Sequence, residues 1–376
     1  MNAIPSLSLE ERYDSNVFNT AADEKSDYVF RAIPKLTLSI AAFSASVNLS
    51  GGFELERYAK HHELDSGTAT KNYELAAAEP LRITPRFSIH PSARFVETRD
   101  AVRRNALTQS PEPGLPPSET VVTTRTGVRD ISGSLQLVYL LLPAVDLEIG
   151  GGGAKREFTE GAPGLIGSRT VTGNASVIYR ITPRFSTGFF VDTSYNSFDG
   201  MPNSRTYSGG LSGSYVLTEH YTVDAHAGAA LSRESTGIGD QKTDTWSPIG
   251  RLSLTYAWKD FQAKLLGSYE LAGRGSFGRT TKRGNAVLTL TDRFAERWWW
   301  DLSGYYQTNR STDEQVTEDL ATAEGTGGIR YAVAEWVSVR LSGSIFRQWS
   351  HGPVGTNLER DSVLLGLTLS NIYPVF

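Results

Sequence analysis

The stretch LRITPRF at residues 81–87 decides the fold, because it returns almost unchanged as YRITPRF at residues 179–185. Looser copies of this turn follow about every 36–40 residues, a period typical of repeated supersecondary units. They read YVLTEHY (215–221), YAWKDFQ (256–262), LTDRFAE (290–296) and YAVAEWV (331–337). Each copy separates two stretches in which apolar and polar residues alternate, so each repeat predicts one β-hairpin.

The alternation has a two-residue period and a small polar face. In residues 361–370, Val363 and Leu365 share one face, while Ser362 and Thr368 share the other. Residues 131–139 and 221–232 follow the same rule. Soluble sandwiches place long charged side chains on their wet face, whereas Ser, Thr and Gly suit the lumen of a membrane barrel. The pattern therefore predicts strands with one face in lipid and the other in a water-filled lumen.

We predict an all-β fold, a single-chain antiparallel transmembrane β-barrel of about 18 strands, with 16 as the alternative. Residues 3–14 form either the first strand or a free arm. Short turns are expected near residues 42, 83, 142, 182, 218, 259, 294 and 334. Longer polar loops are expected near residues 15–26, 60–68, 98–122, 155–168, 197–205, 233–244, 272–282, 310–324 and 350–359. Both termini then lie on the periplasmic side, with the short turns.

The composition agrees with a single barrel domain, residues 1–376, that is exported to the bacterial outer membrane. The hydrophobic fraction is 39%, the mean hydropathy is −0.29, and no stretch reaches the 18 apolar residues of a membrane helix. There is no cysteine, which excludes disulfides and thiolate chemistry. The net charge of −4 leaves no basic surface for nucleic acid. No charged and apolar leader opens the sequence, so we expect that the signal peptide of an exported chain is missing from it.

The register of the predicted strands selects candidate pore-lining residues. Arginine on the lipid face would cost about 2–4 kcal/mol at the membrane midplane, so charged residues within strands are expected to point inward. Their mixed signs fit structural salt bridges or a selectivity filter. The candidates are Arg86, Arg94, Asp130, Asp146, Glu148, Asp192, Asp224, Arg251, Lys264, Glu270, Trp299, Asp301, Tyr305 and Arg340.

Aromatic residues gather beside the predicted turns, which is typical of interfacial girdles. Within RWWWDLSGYYQ (297–307), Trp298 and Trp300 are assigned to the girdle, so Trp299 and Tyr305 face the lumen. Trp299 then either binds sugar rings or packs on the neighbouring turn at the periplasmic rim.

The longest predicted loop, QSPEPGLPPSET (109–120), follows Arg99, Arg103 and Arg104. It either folds inward as a constriction or, because four prolines stiffen it, extends outward.

No arrangement of residues predicts catalysis. The six histidines stand in loops or singly in strands, without a nucleophile and base in a recognisable pattern. Asp313, Glu314 and Glu318 are expected to form a solvated loop rather than a Ca²⁺ site. The glycine run at 150–153 lacks the GK[ST] ending of a phosphate loop and is interpreted as a strand bend or a region relieved of side chains. We predict no enzyme activity, no cofactor and no metal.

The N-terminal segments IPSLSLEERYDSNVF (4–18) and DYVFRAIPKLTLSI (27–40) resemble the opening of the putative outer-membrane β-barrel porin family, whose genes often accompany exopolysaccharide synthesis and export. The terminal Phe376 agrees with this resemblance and with recognition by the barrel assembly machinery. Pro374 lacks a ladder donor, so the last two or three residues are expected to leave the sheet.

The resemblance implies a pore that passively translocates an exopolysaccharide with a periplasmic export partner, in contact with outer-membrane lipid and lipopolysaccharide. The alternatives are a general or substrate-selective diffusion porin for small solutes and a structural or adhesive barrel. Of these hypotheses, we predict translocation of an exopolysaccharide first, and the other two are the alternatives.

Overall fold

The computed structural model describes most of the 376 residues. The described residues are 1–42, 45–66, 73–78, 81–98, 127–158, 166–235, 242–272, 280–311, 319–352 and 356–374. Within them, no helix is long and apolar enough to span a membrane.

Twenty-one β segments and one short 3₁₀ helix, His62–Leu64, make up the described structure. In the first half of the chain the segments are β1 Asn2–Asp14, β2 Asp27–Ala42, β3 Ala45–Phe53, β4 Leu55–Tyr58, β5 Tyr73–Ala78, β6 Leu81–Thr84, β7 Phe87–Thr98, β8 Val128–Leu142, β9 Val145–Phe158, β10 Ser168–Thr182 and β11 Phe185–Phe198. In the second half they are β12 Met201–Val216, β13 Tyr221–Ser235, β14 Lys242–Trp258, β15 Phe261–Ala272, β16 Thr281–Ala295, β17 Trp298–Ser311, β18 Asp319–Ala334, β19 Val337–His351, β20 Leu358–Ser370 and β21 Tyr373–Pro374.

These segments form one closed barrel of 18 antiparallel strands. Three barrel strands consist of two segments each, because β3 with β4, β5 with β6, and β20 with β21 share a neighbouring strand. Each strand pairs with the next along the chain, and β1 pairs with both β2 and β20, which closes the sheet. The predicted fold is confirmed, and residues 3–14 belong to a barrel strand rather than a free arm.

The chain ends meet at the short-turn end of the barrel. Ala3 pairs with Tyr373 and Asn2 with Pro374, so Pro374 stays in the sheet, contrary to the expectation that the last three residues leave it, while residues 375 and 376 lie outside the described ranges. Pro374 is tolerated because it stands at the very end of the ladder, where one missing donor costs little.

Most short turns lie within a few residues of their predicted positions, but one predicted loop was wrong. The polar segment 197–205 is almost entirely strand, since β11 runs to Phe198 and β12 begins at Met201. Asp199 and Gly200 alone form the connection, and Gly200 has a φ of +73°. Asp-Gly is a strong signal for a two-residue hairpin, because glycine adopts positive φ without strain.

The outer surface of the barrel is apolar and bounded by aromatic rings. Leu365 is 53% exposed although it is hydrophobic, and the same holds for outward side chains on the other strands. Exposed aromatic side chains lie near both ends of the strands, including Tyr179, Trp258 and Trp336 beside the short turns and Trp246 towards the long loops. A closed barrel with this exterior spans the bacterial outer membrane.

Inward-facing glycines let neighbouring strands approach closely at one part of the wall. Gly210 on β12 pairs with Gly228 on β13. A Cβ atom added to Gly210 would lie 2.1 Å from the Ala227 carbonyl oxygen, so no other residue fits without moving the backbone. The predicted glycine run at 150–153 lies within β9, where a Cβ on Gly152 would lie 2.8 Å from the Gly133 carbonyl oxygen.

Candidate functional site

The inner wall of the barrel is the candidate functional site. Side chains alternate between the two faces of each strand, and residues paired across neighbouring strands share a face. The inner face therefore consists of the residues that alternate with the exposed apolar ones. Arg86 lies in the exposed turn between β6 and β7 rather than within a strand. The other sequence candidates take inner-face positions, namely Arg94, Asp130, Asp146, Glu148, Asp192, Asp224, Arg251, Lys264, Glu270, Trp299, Asp301, Tyr305 and Arg340.

Several candidate charges form ion pairs along the wall with nearby strands. Asp130 accepts a 2.9 Å hydrogen bond from Arg156 on the next strand, and Asp146 pairs with Arg180. Such partners hold neighbouring strands together and reduce the net charge that a passing solute meets.

The pair formed by Asp301 and Arg340 spans two strand spacings. Arg340 on β19 reaches across β18 to Asp301 on β17, with a 2.8 Å contact. Gly328 on the intervening strand leaves room for it, because a Cβ there would lie 3.0 Å from the Arg340 guanidinium.

Trp299 lies at the short-turn rim, close to two guanidinium groups. The Arg293 and Arg330 guanidinium carbons lie 5.2 and 4.6 Å from the centre of its ring. Arg293 also donates to the Glu296 carbonyl oxygen in the adjoining turn. These contacts favour packing of Trp299 at the rim, since cation–π partners compete with a sugar for the faces of the ring.

Another inward aromatic residue, Phe190, was not among the sequence candidates. It pairs with Gly210 on the inner face, and its ring lies 5.6 Å from that of His226. The neighbouring Phe189 faces lipid and is exposed. Strict alternation along β11 assigns Phe189 to the outer face and Phe190 to the lumen, so the sequence contained the signal that identifies Phe190.

The inner wall changes character towards the long loops. In the loop-side half, most inward side chains are buried; many of them are small and polar as expected, such as Thr170, Ser204 and Ser232, but others are apolar. They include Val29, Val96, Val128, Phe198, Leu266, Val287, Leu320, Phe346 and Leu358. Side chains on an open, water-filled wall would be exposed. Their burial means that the lumen is narrowed at this height.

The first long loop folds against the inner wall and contributes to this narrowing. Val17 packs with the inward side chains of Val29 and Tyr58, and all three are buried. The Asn16 amide donates to the backbone oxygens of Thr20 at 2.8 Å and Glu359 at 3.0 Å. The segment is therefore held both to itself and to β20.

Arg360, on the last long strand β20, connects the first strand β1 and the first long loop. It donates to both carboxylate oxygens of Asp14 on β1, at 2.6–3.1 Å, and to the Asn19 side-chain oxygen at 3.0 Å. Arg12 also contacts Asp14 at 3.2 Å. Because Asp14 is completely buried, this paired charge is shielded from water. We call Arg12, Asp14, Asn19 and Arg360 the seam cluster.

A second ionic cluster adjoins the seam cluster on the same wall. Arg31 on β2 contacts Glu10 on β1 at 2.9 Å and also pairs with Glu54, while Glu56 is opposite Arg31 in the ladder. The loop after β4 is fixed nearby, because the Asp27 carboxylate accepts the backbone N–H groups of residues 60 and 61 at 2.9–3.1 Å. The first two long loops are thus anchored to strands β1–β4.

Some sequence predictions concern residues outside the described ranges. They include the loop at 109–120 with its preceding arginines Arg99, Arg103 and Arg104, the acidic residues Asp313, Glu314 and Glu318, and the terminal Phe376. Among the described residues, no group of three or more His, Cys, Asp or Glu is placed to hold a metal ion.

Comparison with known proteins identifies structural neighbours of low identity. No protein-family model matches the chain, and no curated protein matches it in sequence. The chain is similar to Pseudomonas aeruginosa OccK2 (OpdF) in complex with glucuronate, with 13% identity, a TM-score of 0.48 and 98% of each chain covered. It is also similar to Acinetobacter baumannii OccAB3, with 9% identity, a TM-score of 0.48 and 99% of each chain covered. Identities this low assign no substrate to the chain.

Proposed function

We propose that this protein is an outer-membrane channel for passive diffusion of small hydrophilic solutes. The observation that carries the proposal is the contrast along the inner wall. The turn-side half is polar and accessible, with residues such as Ser8, Ser176 and Thr326, whereas the loop-side half is lined by buried side chains. A circular barrel of this strand number measures about 35 Å between opposing backbones. Inward packing of the first loop reduces that width.

The charged wall supports selection by weak contacts rather than by one deep binding site. Acidic and basic groups occur together on the inner wall, and several form ion pairs with another strand, as in Asp130 with Arg156 and Asp301 with Arg340. A solute can exchange hydrogen bonds with such groups without being trapped, which passage through a pore requires.

Translocation of an exopolysaccharide is the second candidate, favoured by the N-terminal resemblance. In that case a periplasmic export partner would dock on the short turns. The residues that carry the resemblance include Asp14, which accepts the Asn16 backbone N–H at 3.2 Å and pairs with Arg360, the residue that also donates to Asn19 of the first loop. A polymer therefore requires this loop to move aside. For either candidate, we propose insertion by the barrel assembly machinery.

Single-channel conductance and liposome swelling test the proposal on the full chain. We expect stable conductance, and swelling with mono- and disaccharides but not with large dextrans. Passage of large dextrans would transfer the assignment to the polysaccharide candidate. Neither conductance nor swelling would refute transport and leave the structural or adhesive barrel.

Loosening the first loop tests its contribution to the narrowing. The double variant N16A/N19G removes two side chains that hold the loop, and glycine at residue 19 tolerates the φ of +55°. We expect a larger conductance and a larger size limit. E11Q, an exposed outward position on β1, is the matched control and should behave like the wild type.

A further inference from the structure

The outer surface of β9–β13 carries an unusual set of basic residues near the long loops. Lys155 on β9 is directly opposite Arg169 on β10, and Arg205 on β12 is directly opposite Arg233 on β13. All four occupy outward positions, since the residues that alternate with them, such as Thr170, are on the buried inner face. We call these four residues the basic patch.

Like charges directly opposite each other on neighbouring strands destabilise a sheet. The nearby acids offset the basic patch only in part: Glu157 pairs with Lys155, and Asp244 contacts Arg233 at 3.2 Å. Among the residues that the structure describes, these four basic side chains share two carboxylates, which leaves an excess of positive charge there.

The other side of the barrel shows that this arrangement is not a general property of the rim. Arg310 on β17 is directly opposite Asp319, with a contact of 2.8 Å. Arg347 on β19 contacts Asp361 at 2.6 Å and Glu359 at 3.4 Å. There each outward arginine has an acidic partner on the neighbouring strand.

Nearby aromatic residues indicate the level of the membrane at which the basic patch lies. The Arg205 guanidinium carbon lies 5.5 Å from the centre of the Tyr195 ring, and the exposed Tyr207 is two residues further along β12. Trp246, which is 67% exposed, is two residues from Asp244. Because tyrosine and tryptophan mark the membrane interface, the basic patch lies at the level of lipid headgroups.

We propose that the basic patch binds the phosphate groups of a phosphorylated lipid headgroup in the outer leaflet. Phosphate oxygens accept paired hydrogen bonds from guanidinium groups, and one phosphate placed between Arg205 and Arg233 would convert their repulsion into attraction. A second phosphate would do the same between Lys155 and Arg169. A bisphosphorylated glycolipid of the lipid A type has the matching chemistry.

Binding of defined lipids to the full chain in detergent tests this assignment. The probes are bisphosphorylated lipid A and the same lipid without phosphate, counted by native mass spectrometry and titrated to saturation. The variant K155Q/R169Q/R205Q/R233Q removes the basic patch. R310Q/R347Q is the matched control, because it removes two outward rim arginines that already have acidic partners.

We expect the wild type to prefer the phosphorylated lipid, and the quadruple variant to bind it at least tenfold more weakly. The control should stay within twofold of the wild type. Retention of the compact, heat-modifiable band on gels verifies that each variant is folded. Equal loss in both variants, no preference for phosphorylated lipid, or displacement of the lipid by millimolar inorganic phosphate would overturn the proposal.

Discussion

Replacement of Arg360 by glutamine should weaken the junction between the first and last barrel strands. Arg360 on β20 makes three hydrogen bonds of 2.6–3.1 Å to the carboxylate of Asp14 on β1. The variant R360Q removes the guanidinium and leaves a fully buried carboxylate beside Arg12, its remaining charged partner in the seam cluster. We expect a large loss of stability centred on this junction.

The size of the loss follows from the burial of the pair. Removing one member of a buried ion pair typically costs about 3–5 kcal/mol, because the other charge stays out of water. Arg12 at 3.2 Å continues to neutralise Asp14, which places the expected loss near the lower limit. D14N should cost a similar amount. D14N/R360Q leaves two neutral amides and should recover at least about 2 kcal/mol relative to additivity.

Urea titration of the barrel refolded into lipid vesicles measures these differences, with unfolding and refolding followed by tryptophan fluorescence. Hydrogen exchange of β1 and β20 then locates the weakened region. The reasoning is refuted if each single variant lies within about 1 kcal/mol of the wild type, or if the double variant shows coupling below about 0.5 kcal/mol. E11Q, with its outward side chain on β1, again serves as the control.

Two further predictions test the close strand approach and the lipid-facing surface, both by the same urea titration. G210A should cost at least about 1–3 kcal/mol, since its Cβ would lie 2.1 Å from the Ala227 oxygen. G325A, where nothing lies within 4 Å, should change stability by less than about 0.5 kcal/mol. L341R places a charge in lipid and should cost about 2–4 kcal/mol, whereas the inward S342R should cost much less. Equal effects within either matched pair would contradict the assigned geometry.

The sequence predicted the barrel well because its information is local. The repeated ITPRF turns and the two-residue period specify strands, turns and inward faces without knowledge of distant contacts. The Asp199–Gly200 hairpin was missed although its signal is equally local, because the surrounding polar residues resembled a loop.

The interior could not be predicted in the same way. Asp14 and Arg360 lie 346 residues apart, and only closure of the barrel brings them together. Leu266 and Val287 are directly opposite each other on the inner face, where local alternation predicted a wet wall. They are buried because the lumen is narrowed at their height, and alternation along a single strand does not reveal this narrowing.

Because β1 pairs with β20, the barrel can close only after the last strand has been inserted. The edge of the first strand has no permanent neighbour until the last strand has been delivered, so it must be protected from other sheets throughout insertion. Asp14 and Arg360 lose their contacts with water and bind each other only when the barrel closes. A chain that ends before residue 358 would therefore remain an open sheet in which Asp14 lacks its Arg360 partner. Quality-control proteases can distinguish such an open sheet from the closed barrel.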